Sequence, residues 1–160
     1  MKKITLKVKF LKGKNQAQAL PSKATKSSAG FDLLASNDKP ITIPPGKRAI
    51  IPTGIAIELP KGYEAQIRPR SGLALNYGVT ILNTPGTIDP DYRGEIKIIL
   101  INLSDEPFTI KKQDRIAQMI ISQLVPVKIQ LVKELSPTKR NQGGFGHTGI
   151  NSAPNKKLDR

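Results

Sequence analysis

The sequence contains no cysteine and no tryptophan, and His147 is its only histidine among 160 residues. The lack of cysteine excludes disulfide bonds, thiolate nucleophiles and zinc–thiolate sites. A single histidine excludes metal sites built from several histidines. No apolar run approaches the ~18 residues of a membrane-spanning helix. Lysines interrupt every stretch near the start that could form the hydrophobic part of a signal peptide. We therefore expect a soluble, intracellular and cytoplasmic protein without a membrane partner.

Acidic residues are also scarce, since 26 lysines and arginines face 12 aspartates and glutamates, for a net charge of +14. Such an excess predicts an anionic partner. Lysines crowd both ends, where they could be solvated charge or a weak nucleic-acid patch. Only 4% of the residues are aromatic, which argues against a protein that stacks bases on aromatic side chains. A triphosphate is the other obvious anion.

Short apolar stretches separated by glycine and proline dominate the chain, and several alternate with polar residues as half-buried strands do. The pattern predicts strands over residues 4–10, 29–35, 41–43, 47–51, 55–59, 63–68, 79–82, 94–103, 108–110, 115–125 and 127–135. Only residues 71–76 predict a helix, and it is short. We expect an all-β fold, a jelly-roll-like distorted β-barrel with one short helix. Residues 96–101 and 119–125 are apolar on both faces, which predicts a subunit interface.

The composition changes at Ser136, after which proline, glycine and polar residues replace the apolar pattern. Such a stretch cannot build a core by itself. We predict one β-barrel domain over residues 1–135 and a flexible, glycine-rich C-terminal arm over residues 136–160. Phe145 stands between glycines in this arm, which a tail intended only for solubility does not need.

Residues 83–95, with the sequence NTPGTIDPDYRGE, carry the densest set of chemical groups. They predict a strand that enters a tight corner and leaves it again. In an extended segment Asp89 and Asp91 would point to the same side, although Pro90 can bend the chain. An amide, an acid and an aromatic ring around a corner can hold a flat polar heterocycle. The alternative is an acidic surface turn with a structural Asp–Arg pair.

Four further stretches could contribute to an anion site. The run RNQGGFGHTG (140–149) could curl its glycine amides into a phosphate cradle, or be a flexible linker. The run RSGLA (70–74) could bind phosphate at a helix start, or Ser71 could cap the helix. AGFDL (29–33) and DRIAQ (114–118) supply Asp32, Arg115 and Gln118, for which a surface ion pair is the simplest interpretation.

In their order and spacing, the stretches AGFDL, PRSGLA, NTPGTIDPDYRGE, DRIAQ and RNQGGFGHTG closely resemble the five motifs of the homotrimeric dUTPase family. The resemblance covers residues 29–149. It implies a jelly-roll trimer whose active sites are each built from three chains, with the arm closing a neighbour's site. The implied reaction is hydrolysis of dUTP to dUMP and pyrophosphate, which keeps uracil out of DNA and supplies dUMP for dTMP synthesis.

The resemblance also implies a role for each site residue. Asp89 is expected to be the catalytic general base, Tyr92 to pack on the deoxyribose, and Phe145 to cover the uracil. Mg²⁺ is expected to be held by phosphate oxygens and water, with Asp32 acting through water. The implied substrate-binding residues are Arg70, Ser71, Gly72, Asn83, Gly86, Thr87, Ile88, Tyr92, Lys97, Gln118, Arg140, Phe145, Gly146, His147 and Thr148.

Three residues depart from the commoner family pattern, namely Pro90, Asn141 and His147. Two other functions compete with dUTP hydrolysis. A dCTP deaminase-like enzyme on the same barrel would need an acid in the strand after the corner, and residues 96–101 contain none. A non-catalytic, basic binding module would not need the complete set of motifs.

Overall fold

The structure is a computed structural model that describes residues 3–11 and 20–144. These residues form eleven strands and one helix, α1 (Ser71–Tyr77). None of the described helical structure is long and apolar enough to cross a membrane. The strands are β1 (Lys7–Phe10), β2 (Phe31–Leu34), β3 (Ile41–Ile43), β4 (Arg48–Pro52), β5 (Ile55–Glu58), β6 (Tyr63–Arg68), β7 (Val79–Ile81), β8 (Gly86–Ile88), β9 (Lys97–Asn102), β10 (Phe108–Ile110) and β11 (Arg115–Gln123).

All strand pairs are antiparallel, and they form four sheets. The largest has the order β2–β11–β6–β8, and a second has the order β4–β9–β7. Two-stranded sheets join β1 with β5 and β3 with β10. The all-β class is therefore confirmed, with sheets that the described residues do not close into one continuously hydrogen-bonded barrel.

The core follows from period-two alternation along the strands. In β9, Ile98 and Leu100 are buried while Ile99 and Ile101 are only half-buried. Every sheet contributes isoleucine, leucine or valine to this core, and each buried side chain of this size stabilises the fold by about 1.5–3 kcal/mol. β1 shows the same alternation, since its two lysines are exposed.

Residues 127–135 do not form the predicted strand. The described chain has no regular structure after Gln123, and Val127, Ile129 and Leu131 are 78%, 93% and 98% exposed. Alternation specifies which side chains share a face, but a strand also needs a neighbour to accept its hydrogen bonds. No strand of the described residues pairs with this stretch.

The chain divides into two compact units, with the division between Pro126 and Val127. The first unit holds every strand and the helix that the described residues form. The arm that the sequence predicts over residues 136–160 falls within the second unit, and the predicted division into residues 1–135 and 136–160 stays a prediction.

Candidate active site

Residues 82–96, here called the crossover segment, carry the chain from one sheet to another and back. β7 lies in the three-stranded sheet, β8 pairs with β6 in the four-stranded sheet, and β9 returns to the first. The predicted corner is thus two corners with a short strand between them, and β8 is not paired with β9. The sequence pattern does not predict β8, because Gly86 and Thr87 directly follow the turn-forming sequence Asn–Thr–Pro.

β8 is one of the two edge strands of its sheet. Its three residues pair with β6, as Gly86 with Ile67 and Ile88 with Ala65. One row of its main-chain N–H and C=O groups therefore has no strand partner within the described part of the chain. Such a row can bind the polar edge of a flat ligand.

The second corner is a turn from Asp89 to Tyr92, whose N–H donates to the Asp89 carbonyl oxygen at 3.2 Å. Pro90 is the first central residue, a position that proline favours because its φ is already correct for a turn. The turn replaces the extended geometry that would have aligned the two acids. Pro90 thus has a local structural role, and the Asp89 side chain remains exposed.

A cavity of about 280 Å³ opens beside this turn. That volume is close to the lower end of the ~300–1,000 Å³ typical of small-ligand sites. The structure therefore brings together five residues that the sequence assigned to the site, and it adds Glu95. The cavity is lined by Thr87, Ile88, Asp89, Tyr92, Glu95 and Lys97.

Glu95 fixes the crossover segment to the neighbouring turn. Its Oε1 accepts a hydrogen bond from the Gly54 N–H at 2.8 Å, and its Oε2 lies 3.8 Å from Lys97 Nζ. The next residue, Ile96, donates its N–H to the Ile55 carbonyl oxygen at 2.9 Å. This role cannot be predicted from the sequence, because the partner of Glu95 is a backbone amide that is distant in the chain.

Asn83 lies at the first corner, where its side chain is exposed. Its Nδ2 is close to Gly86, since a Cβ built on Gly86 would lie 3.4 Å from it. The amide is thus next to the start of β8, but Asn83 is not among the residues that line the 280 Å³ cavity.

A second group of site residues surrounds Asp32 and is here called the Asp32 cluster: Asp32, Arg70, Arg115 and Gln118. Arg70 Nε lies 3.3 Å from Asp32 Oδ1, and Arg115 Nε lies 3.7 Å from Asp32 Oδ2. Arg70 also donates from Nη1 to the Arg115 carbonyl oxygen at 3.0 Å. The Asp32 side chain is only 16% exposed, so this is more than a surface ion pair. Arg115 was not among the predicted ligands.

Gln118 faces the same cluster from β11, opposite Asp32 on β2. Its Nε2 donates to the Pro69 carbonyl oxygen at 2.9 Å. A Cβ on Gly30 would lie 2.5 Å from its Oε1. Gly30 therefore leaves room for the amide, and the sequence could not reveal this because the two residues are far apart in the chain.

Helix α1 begins after Arg70, which is its N-cap residue and makes no side-chain capping bond. The interpretation of Ser71 as the capping residue is therefore wrong. Ser71 and Gly72 are both exposed in the first helical turn, where their N–H groups have no acceptor within an isolated helix.

The start of the arm forms a small turn of its own. The Gly143 N–H donates to the Arg140 carbonyl oxygen at 2.9 Å, and Arg140 Nε donates to the Gly143 carbonyl oxygen at 2.8 Å. Asn141 has a φ of +44°, a left-handed conformation that glycine and asparagine tolerate best. The predicted residues Phe145, Gly146, His147 and Thr148 lie outside the described residues.

A family model described as dUTPase matches residues 16–149. The chain belongs to the dUTPase family. The deoxyuridine 5′-triphosphate nucleotidohydrolase of Caldanaerobacter subterraneus subsp. tengcongensis is 62% identical over 131 residues, which cover 82% of this chain and 88% of that one. The corresponding protein of Syntrophotalea carbinolica is 54% identical over 150 residues, which cover 94% of this chain and all of that one.

Solved dUTPase structures have the same fold as this family member. A Staphylococcus bacteriophage 80alpha dUTPase with the ligand dUPNHPP superposes with a TM-score of 0.80 at 26% identity. The match covers 91% of this chain and 99% of that one. Together with the jelly-roll-like fold predicted from the sequence, this agreement assigns both the fold and the family.

Proposed function

We propose that the protein hydrolyses dUTP to dUMP and pyrophosphate, and so keeps uracil out of DNA and supplies dUMP for dTMP synthesis. The observation that carries this is the cavity of the crossover segment, where Asp89 and Tyr92 line one wall beside an edge strand. The sequence relatives named as dUTP nucleotidohydrolases support the same substrate. The reaction breaks the anhydride between the α- and β-phosphates.

Uracil recognition is assigned to the main chain of β8, together with Asn83 and Lys97. Main-chain donors and acceptors in fixed positions discriminate well, because a base with the opposite pattern leaves buried polar groups without partners. Cytosine would place an amino group where uracil has a carbonyl oxygen. The residues of β8 are Gly86, Thr87 and Ile88, and the last two line the cavity.

Tyr92 is assigned to the sugar, with its ring against the deoxyribose so that a 2′-hydroxyl group does not fit. Asp89 is assigned as the general base that orients a water molecule and accepts its proton as that water attacks the α-phosphorus. The Asp89 carboxylate is exposed, and it has no ion pair or hydrogen bond with any described residue. It is therefore available to a water molecule.

The triphosphate is assigned to Arg70, Ser71, Gly72 and Gln118, and to Arg140, Phe145, Gly146, His147 and Thr148 of the arm. Within the Asp32 cluster, two guanidinium groups face one carboxylate, so the cluster retains a net positive charge for phosphate. Arginine suits this role because its planar fork can bind two phosphate oxygens at once. Neutralisation of the phosphates favours departure of pyrophosphate.

A magnesium ion fits these residues only when it binds together with the substrate phosphates. No group of three acidic or histidine side chains in the described ranges could hold a metal by itself. Mg²⁺ keeps several waters and commonly uses one or two carboxylates together with phosphates, and Asp32 supplies one carboxylate for contact through water. When bound, Mg²⁺ would offset charge on the phosphates.

We also propose a homotrimer in the cytoplasm whose arms each close a neighbour's site, so that three chains contribute to each site. Two apolar surfaces support self-association. Ile50 on β4 is 60% exposed and lies opposite Ile99 on β9, and Val127, Ile129 and Leu131 are exposed in the second unit. Large exposed apolar surfaces of this kind mark contacts with other chains.

A nucleotide panel tests the proposed reaction. Purified protein with Mg²⁺ is incubated with dUTP, dCTP, dTTP or UTP, and pyrophosphate, orthophosphate and ammonia are measured. We expect pyrophosphate from dUTP at a rate far above the other three. Ammonia from dCTP would favour a deaminase, although β9 (Lys97–Asn102) contains no acid for that chemistry. A lack of product from all four would favour the binding-module alternative.

A further inference from the structure

The conformation of Tyr92 depends on the absence of a side chain at Gly94. The Tyr92 hydroxyl donates to the Glu95 carbonyl oxygen at 3.0 Å, so the ring folds back along its own loop. A Cβ built on Gly94 would lie 2.5 Å from Tyr92 Cζ and 2.9 Å from Cε2. Real Cβ atoms do not approach carbon this closely, because dispersion contacts between carbons are optimal near 3.5–4.0 Å.

Gly94 is not needed for its backbone conformation. The described glycines with left-handed φ are Gly46, Gly54, Gly62 and Gly78, and Gly94 is not one of them. Alanine therefore meets no backbone strain at this position. The atoms in its way belong to the distal part of one side chain, so the expected response is a movement of the Tyr92 ring rather than of the fold.

The acceptor of the Tyr92 hydroxyl cannot follow a displaced ring. Glu95 is held through its carboxylate by the Gly54 N–H at 2.8 Å. Its neighbour Ile96 donates to Ile55 at 2.9 Å, and the Ile96 carbonyl oxygen accepts from Thr53 Oγ1 at 2.5 Å. The loop beneath the ring is thus fixed on both sides of the peptide that the hydroxyl contacts.

We infer that Gly94 is a positioning residue that sets substrate specificity by holding the Tyr92 ring at the wall of the 280 Å³ cavity. The backbone at Gly94, which carries no side chain, leaves room for the ring, and the Glu95 carbonyl oxygen fixes its hydroxyl end. This inference rests on the proposed function in one respect, namely that Tyr92 excludes the 2′-hydroxyl of a ribonucleotide.

A double-mutant cycle tests whether Gly94 affects substrate specificity through Tyr92. We compare kcat/KM for dUTP and UTP in the wild type, Gly94→Ala, Tyr92→Ala and the double variant. Gly94→Ala is expected to lower the dUTP-to-UTP preference at least about tenfold. In the Tyr92→Ala background the same substitution is expected to change it less than about twofold, because no ring remains to be displaced. Thermal unfolding serves as the control for folding.

The substitution Tyr92→Phe separates the effect of the hydrogen bond to Glu95 from the effect of the room left by Gly94. It removes the hydrogen bond to Glu95 but leaves the ring in its place beside Gly94. It is therefore expected to reduce the preference for dUTP over UTP less than Gly94→Ala does. If Gly94→Ala keeps the wild-type preference while Tyr92→Ala loses it, the inference is wrong and the proposed function stands. An equal effect of Gly94→Ala with and without Tyr92 also contradicts the inference.

Fluorescence tests the position of the ring without any substrate. The chain has no tryptophan and three tyrosines, so Tyr63→Phe and Tyr77→Phe leave Tyr92, 44% exposed, as the only fluorophore. Iodide quenching of Tyr92 is expected to increase when Gly94→Ala is added. Unchanged quenching would overturn the inference even if dUTP hydrolysis is observed. Failure of the wild type to hydrolyse dUTP would overturn the proposed function and the specificity role of Gly94, whereas increased quenching in Gly94→Ala would still show that Gly94 positions the ring.

Discussion

The crossover segment is rich in turn-forming residues but is held by other strands, whereas the stretch over residues 124–135 has an apolar, strand-like sequence but no strand partner among the described residues. The crossover segment is tied to other strands through β8, Glu95 and Ile96. The later stretch has no regular structure, and Ile129 and Leu131 are almost fully exposed. Contacts within a single chain hold the crossover segment in place. The later stretch instead exposes apolar surface that a partner would have to cover. The first region should therefore govern chemistry and the second assembly.

Asp89→Asn is expected to have the largest effect on chemistry. The amide keeps the shape of the carboxylate but cannot accept the proton of the attacking water, so kcat should fall by orders of magnitude, while the dissociation constant for dUTP stays within a few-fold. Pyrophosphate release and calorimetric titration measure these two quantities. Asp105→Asn, an exposed acid outside the site, is the matched control and should behave as the wild type.

A chain that ends at Leu135 tests what the predicted arm contributes to catalysis. All strands of the structure end by Gln123, so the truncated chain should fold and assemble. It lacks Arg140 and the glycine-rich run, and with them the proposed closure over the phosphates. We expect catalysis reduced by orders of magnitude and weaker dUTP binding.

Mixing tests whether the arm serves a neighbour. Truncated chains are refolded together with full-length Asp89→Asn, and mixed trimers are identified by native mass spectrometry. Some of their sites would combine an intact Asp89 from one chain with an arm from another, so activity should return. Mixed trimers without activity would refute shared sites.

Ile129→Asp is expected to have a smaller effect, and on assembly rather than chemistry. A charge on a surface that must be covered by another chain carries a desolvation cost. We expect light scattering to detect a shift toward smaller species as the protein is diluted. Gln130→Asp introduces the same charge at the neighbouring position and is the control. If both variants stay trimeric to the same dilution, Ile129 is not at an interface.

The same contrast explains how much could be predicted from the sequence. Alternation correctly predicts strands such as β3, β6 and β10, because burying one face against the core suffices to select the strand. It fails for residues 127–135, where the pattern is present but no described strand is available as a partner. It also misses β8, since three residues rich in turn formers are too few to make a period visible.

Prediction of the site divides in a similar way. The resemblance to the dUTPase motifs predicts Asp89, Tyr92 and Lys97 as site residues, and all three line one cavity. Residues that act by making room or by fixing backbone were missed, as with Gly30, Gly94 and Glu95. Their roles depend on which distant or folded-back side chain lies above them, and this is determined only by the tertiary structure.

Hydrolysis of dUTP in water enriched in ¹⁸O tests the central claim most directly. Attack of a water molecule, activated by Asp89, on the α-phosphorus should place one labelled oxygen in dUMP and none in pyrophosphate. Mass spectrometry of both products during a single turnover gives the result. Label in pyrophosphate, release of orthophosphate, or labelled dUMP formed at an undiminished rate by Asp89→Asn would contradict the account.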